Sequence, residues 1–216
     1  MSNAQAGTEQ DVVDVLTADH HEIATILVEL ESRQGSAEHR RRLADVLIAE
    51  LVRHAVAEEM YVYPAARRAL PDGDQLAEHE IAEHAAAERT LKELEPLDPS
   101  SARFEPLISH LTKTIRHHVR EEEAELFPRL RAAVAHEELV ELAERVQAAK
   151  RHLPTRPHPG TPDHPPANRL LHPGAGLVDR IRDALSGRPT TLAELADPQD
   201  SEPADPRGSE PADPQG

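Results

Sequence analysis

Residues 54–64 read HAVAEEMYVYP and residues 118–128 read HVREEEAELFP. Each segment places a Glu four residues after a His, a second Glu beside it, and an aromatic residue followed by Pro. In an α-helix, residues four apart lie about 40° apart around the axis and one turn apart along it, so the His and Glu face one spot. A single HxxxE is ordinarily a solvated polar pair; duplication changes its weight. His54 and His118 are 64 residues apart, and the same offset relates Glu58 to Glu122, Glu59 to Glu123, Tyr63 to Phe127 and Pro64 to Pro128. His20 and His84 obey it too, inside D-H-x6-L-x2-L (Asp19 to Leu30) and E-H-x6-L-x2-L (Glu83 to Leu94). Leu43, Leu47 and Leu51 fall opposite Leu107, Leu111 and Ile115. A gapless repeat of this kind reads as a duplicated helical hairpin.

Turn signals at Gly35-Ser36, Pro71-Asp72-Gly73 and Asp98-Pro99-Ser100-Ser101 divide the first part of the chain into four helices, over 9–34, 37–70, 73–95 and 101–135. In an up-down-up-down bundle, two residues at one height are equally far from the turn between their helices. The midpoint of His20 and His54 is residue 37, that of His84 and His118 is 101, and that of the His54/Glu58 pair and His84 is 70. All three fall at or beside the expected turns. Arms of about 15 residues give roughly 22 Å of helix on each side of the ring. The sequence therefore predicts an all-α fold, an up-down-up-down four-helix bundle over residues 10–136. An additional helix follows over 137–151, with Leu139, Leu142 and Val146 on one face. Residues 152–216 hold most of the chain's 19 prolines and end in the tandem SEPADPRG and SEPADPQG. That composition predicts a disordered tail, with a possible short amphipathic helix at 176–186.

Composition agrees with packed helices. The aromatic residues are Tyr61, Tyr63, Phe104 and Phe127, with no Trp, and the apolar set is rich in Leu and Ala. Net charge is −16, from 40 acidic against 24 basic side chains, which argues against nucleic acid and anionic membranes as partners. Zero cysteine removes disulfides, thiolate ligands and thiol nucleophiles. With no signal-peptide pattern and no long apolar run, the expectation is a cytoplasmic protein.

The ring brings His20, His54, His84 and His118 together with Glu58 and Glu122. Two carboxylates and four imidazoles are costly to bury bare, and metal cations offset that cost. A mixed His/Glu set with open positions favours non-haem iron, and each Glu has two oxygens with which to bridge two ions.

On these residues, H…HxxxE…H…HxxxE over four helices resembles the hemerythrin HHE cation-binding domain across residues 10–136. The resemblance implies two non-haem irons, oxo- or hydroxo- and carboxylate-bridged, with the four histidines as terminal ligands. Ferritin-like bundles instead place Glu before His at three-residue spacing. Two departures matter. The family's oxygen carriers typically carry HxxxH on the third helix, whereas the position four before His84 is Glu80 and the nearest His is His79. His79 lies about 140° around the helix from His84, so Glu80 or water is left to complete that position. The carriers also place the last carboxylate five after its His, which points to Glu123; the internal repeat favours Glu122.

The remaining polar residues have plainer readings. His21 and His117 point away from the ring. Tyr61, three after Glu58, either faces the cavity as a phenol or packs at its rim. Pro64 and Pro128 each kink a helix and free a carbonyl four residues back. His152, His158 and His164 belong to a polar linker. The functional expectation is binding or sensing of a small oxidant (dioxygen, hydrogen peroxide or nitric oxide). Peroxide decomposition and iron handling are the alternatives, and the tail suits a protein partner.

Overall fold

The structure is a computed structural model and describes residues 9–158, 178–180 and 182–196. Its first helix, α1 (Val12–Ser32), starts at a capping box: the Asp11 carboxylate accepts from the Asp14 N–H, and the Asp14 carboxylate accepts from the Asp11 N–H. It ends where Arg33 and Gly35 take positive φ values of 58° and 87°. Ser36 then accepts from the His39 N–H and begins α2 (Ala37–Ala57). After α2 the helix runs without a break through a π-turn over Glu58–Val62 into α3 (Tyr63–Ala69).

The second hairpin repeats this plan. It consists of α4 (Gly73–Leu94), then α5 (Phe104–Glu121), a π-turn over Glu122–Leu126 and α6 (Phe127–Ala133). Pro64 and Pro128 explain the two π-turns. A proline has no N–H to donate, and just before each one the bonding slips to i−5. The Tyr63 N–H reaches the Glu58 carbonyl, and the Phe127 N–H reaches that of Glu122. The expected proline irregularity is thus a π-turn that begins on each central Glu, a feature common at functional sites.

The four helical arms close into a ring, since α1 packs on α2 and α5 while α4 packs on α2, α3 and α5. Leu43, Leu47, Leu51, Leu111 and Ile115 are buried inside it, with Leu107 half-buried. Gly73 sets the join between hairpins: a Cβ there would stand 2.2 Å from the Ala66 carbonyl oxygen. A fifth long helix, α7 (His136–Lys150), lies outside the ring against α1 and α2, burying Leu139, Leu142 and Val146.

Parts of the Pro-rich segment also pack on the bundle. Residues 178–180 and 182–186 are helical, and α8 (Leu192–Ala196) follows. The expectation of disorder in the tail therefore does not extend to 152–158 or 187–196, while the helical residues 178–180 and 182–186 fall within the expected 176–186 helix. The cause is a set of specific polar contacts that composition does not announce. Asp179 accepts from the Thr155 and Arg156 N–H groups, both at 3.1 Å. Asp183 pairs with Arg156 and Arg188, and Arg188 reaches Asp45 on α2 at 3.1 Å. Most of the expected 176–186 helix is described; the tandem octapeptide and His164 lie outside the described residues.

Candidate metal centre

Each arm of the ring supplies one imidazole: His20 from α1, His54 from α2, His84 from α4 and His118 from α5. All four are nearly or fully buried, and Glu58 and Glu122 are completely so. The imidazoles form two pairs. His20 Nε2 is 3.1 Å from His54 Nε2, and His84 Nε2 is 3.1 Å from His118 Nε2.

The carboxylates span the pairs. Glu58 Oε1 lies 3.2 Å from His54 Nε2 and Oε2 lies 3.4 Å from His84 Nε2. Glu122 Oε2 lies 3.4 Å from His20 Nε2 and 3.5 Å from His118 Nε2. Each Glu therefore touches both halves of the repeat, as a bridge between two ions must.

The outer nitrogens are held just as regularly. His20 Nδ1 faces Glu123 at 2.9 Å, His54 Nδ1 faces Asp19 at 3.4 Å, His84 Nδ1 faces Glu59 at 3.2 Å and His118 Nδ1 faces Glu83 at 3.1 Å. A carboxylate only accepts, so each neutral ring carries its proton on Nδ1 and turns the Nε2 lone pair inward. This is the outer shell that orients histidine ligands in metal sites.

The sequence-derived candidates sort accordingly. Glu122 is central, whereas Glu123 lies on the outer flank of His20 and orients that ring. Glu80 is buried at the edge, its Oε2 2.9 Å from His118 Nδ1 rather than Nε2. His79 is exposed and turned away, as its helical angle requires. The phenol in the site is that of Tyr63, not Tyr61. The Tyr63 hydroxyl donates to Glu122 Oε1 at 3.0 Å and lies 3.2 Å from His84 Nε2, while Tyr61 is a half-buried packing residue. α-Helical angles point to position 61; the π-turn adds one residue and brings the Tyr63 hydroxyl onto Glu58 instead. The available signal was Pro64 itself. The repeat partner, Phe127, stacks on His20 with ring centroids 5.6 Å apart and planes 10° from parallel.

Electrostatics couple the imidazoles tightly to the carboxylates. Burial disfavours the His54 imidazolium, but the Glu58 charge and the Asp19 and Glu58 contacts outweigh it and raise its pKa to about 10. Burial likewise works against the Glu58 carboxylate, yet His54 and His84 hold its pKa well below the usual value. Burial, then the Glu122 and Glu58 charges, push the Tyr63 phenol well up. Glu58 Oε1 and Glu122 Oε2 are buried and receive no hydrogen bond. Orphaned carboxylate oxygens facing paired imidazole nitrogens fit cations that both would share.

A cavity of about 80 Å³ is lined by all four imidazoles, and Tyr63 is not among its lining residues. Its wall includes the aliphatic side chains of Ile23, Leu51, Ile81, Leu91 and Ile115, with Glu59 and Glu88 beside them and Pro154, Arg156 and His158 from the C-terminal segment. Among the described residues, no helix is long and apolar enough to cross a membrane.

Fold and site thus define a helical-bundle protein with a buried His/carboxylate centre suited to cations. Residues 10–130 match the Hemerythrin HHE cation binding domain, and the chain belongs to that family. It is 26% identical over 179 residues to an uncharacterized hemerythrin-like protein of Schizosaccharomyces pombe, covering 82% of this chain and 88% of the yeast protein. A DNA nickase of Nostoc sp. is 27% identical over 154 residues, 70% of this chain but 43% of the nickase. The crystal structure of a hemerythrin HHE cation binding domain-containing protein from Mycobacterium kansasii aligns with a TM-score of 0.58 and 25% identity, over 66% of this chain and 86% of that one.

Proposed function

We propose that this chain is a cytoplasmic non-haem di-iron protein that binds or senses a small oxidant. The observation that carries the reading is the convergence of four Nε2 atoms on two carboxylates that each span both imidazole pairs and each keep one oxygen without a hydrogen bond. His20 and His54 would hold one ion, His84 and His118 the other, with Glu58 and Glu122 bridging. Iron so held supplies Lewis acidity and one-electron chemistry.

The residues of the chain set what reaches it. The aliphatic cavity wall favours a small neutral molecule such as dioxygen or nitric oxide and keeps bulk water from the imidazole layer. Tyr63 does not line the cavity, and its hydroxyl holds Glu122 in place. Glu59, Glu123, Asp19 and Glu83 keep the four rings in place. Peroxide decomposition is the second reading, favoured by the buried phenol beside both carboxylates. The nickase's name concerns a protein of which less than half is matched, and a net charge of −16 opposes a phosphate backbone.

The test is metal content per chain with the visible spectrum, on protein from iron-replete cells. Close to two irons, with near-ultraviolet ferric bands lost in His54→Ala, supports the reading. No bound iron, with unchanged melting after reconstitution, overturns it. Peroxide turnover by the loaded protein separates enzyme from binder.

A further inference from the structure

A second cluster of ligating side chains lies on the outer surface of α4 and α5, clear of the bundle centre. His79 and Glu83 are one turn apart on α4, and His117 and Glu121 are one turn apart on α5. They form a second facing pair of HxxxE motifs. His79 Nε2 lies 3.3 Å from Glu121 Oε2 and 3.9 Å from Glu83 Oε1. His117 Nε2 lies 3.5 Å from Glu121 Oε1 and 3.9 Å from Glu83 Oε1. One ligand atom each from His79, Glu83 and Glu121 falls within a 4.8 Å span. Bonds of about 2.0–2.1 Å to a tetrahedral ion put neighbouring ligand atoms roughly 3.4 Å apart, close to the two contacts with Glu121, while His117 stands beside that three-residue group as a fourth ligand to be drawn in.

The internal repeat supplies an independent reason to expect a cation here. Glu83 corresponds to Asp19 at the 64-residue offset. Each gives one oxygen to an Nδ1 of the central ring: Asp19 Oδ2 to His54 at 3.4 Å, and Glu83 Oε2 to His118 at 3.1 Å. The other Asp19 oxygen is met by a built-in cation, the Lys150 ammonium from α7, at 2.6 Å. Helix α7 packs on the first hairpin, against α1, α2 and the Glu58–Val62 turn. On the second side, the free oxygen of Glu83 faces His79 and His117, both with side chains 55% exposed.

We propose that His79, Glu83, His117 and Glu121 form a peripheral site for a divalent transition ion of zinc-like preference, occupying the place that Lys150 takes in the first half of the repeat. Two imidazoles and two carboxylates suit such an ion better than calcium or magnesium, which prefer oxygen ligands. Through Glu83, the ion touches the residue that orients His118. The site does not depend on which metal fills the centre.

The experiment is equilibrium dialysis of the metal-loaded full chain against Zn²⁺, counting zinc and resident metal separately. The wild type takes up one zinc per chain beyond the resident metal, and millimolar Mg²⁺ does not displace it. Loss of a mere outer-shell partner weakens metal affinity about 10–100-fold, so removal of ligands in His79→Gln/His117→Gln and in Glu121→Gln weakens zinc uptake at least that much. The resident metal count stays at the wild-type value. Zinc uptake unchanged in these variants, no zinc beyond the centre, displacement by Mg²⁺, or zinc gained only as resident metal is lost would each overturn the site.

Discussion

Tyr63 and Glu122 come from opposite halves of the internal repeat, and their hydroxyl–carboxylate contact of 3.0 Å joins the two hairpins inside the centre. The phenol contacts both Glu58 and Glu122 and does not line the cavity. Its role is thus to hold a bridging oxygen in place. Phe127 at the equivalent position shows that an aromatic ring without the hydroxyl also fits there.

Tyr63→Phe should therefore fold normally but hold metal less well. Outer-shell losses of this type cost about 10–100-fold in affinity. Competition against a graded series of chelators measures the change. Affinity equal to wild type would show that the phenol is only packing.

Metal and protons should compete at His54. Its folded pKa of about 10 lies above the ordinary 6.5 because carboxylates favour the imidazolium. In the metal-free protein that contribution to stability is fully present below pH 6.5 and is lost as pH rises toward 10. The metal-free bundle should therefore melt at progressively lower temperature across that window, whereas the loaded protein, with His54 already deprotonated, should not. Loading at pH 7 should also release protons. Calorimetry in buffers of different ionisation enthalpy would count them, and no release would contradict ligation by His54.

Gly73→Ala should destabilise the join between α3 and α4. The new methyl would meet the Ala66 carbonyl oxygen at 2.2 Å, against rigid backbone. Overpacking of this kind costs about 1–3 kcal/mol. A urea midpoint unchanged from wild type would mean that the two hairpins slide freely at this point.

Asp183→Asn should loosen the C-terminal segment where it borders the cavity. The buried carboxylate pairs with Arg156 at 2.6 Å and Arg188 at 3.1 Å, and breaking a buried pair from one side costs about 3 kcal/mol. Nitric oxide should then reach the loaded centre faster in stopped-flow mixing, with metal content unchanged. An equal rate would show that Pro154, Arg156 and His158 do not limit access.

The sequence alone carried the fold and the inner part of the centre. A 64-residue repeat retaining His20/His84, His54/His118 and Glu58/Glu122, with turns at the midpoints, is a one-dimensional statement of a level ring. Helical periodicity is local, so such arithmetic converts directly into which side chains share a face. Three features needed the tertiary structure. The π-turns before Pro64 and Pro128 shift the helical register by one residue, which is why Tyr63 and not Tyr61 enters the site. The outer carboxylates Asp19, Glu59, Glu83 and Glu123 sit beside ligating positions in sequence, yet each orients a histidine on another helix. Their assignment depends on helix rotation and interhelical distance. The anchoring of residues 153–158 by Asp179 and Asp183 rests on contacts more than 20 residues apart. Proline content reports the cost of local structure, while long-range polar contacts of this kind exist only once the chain has folded.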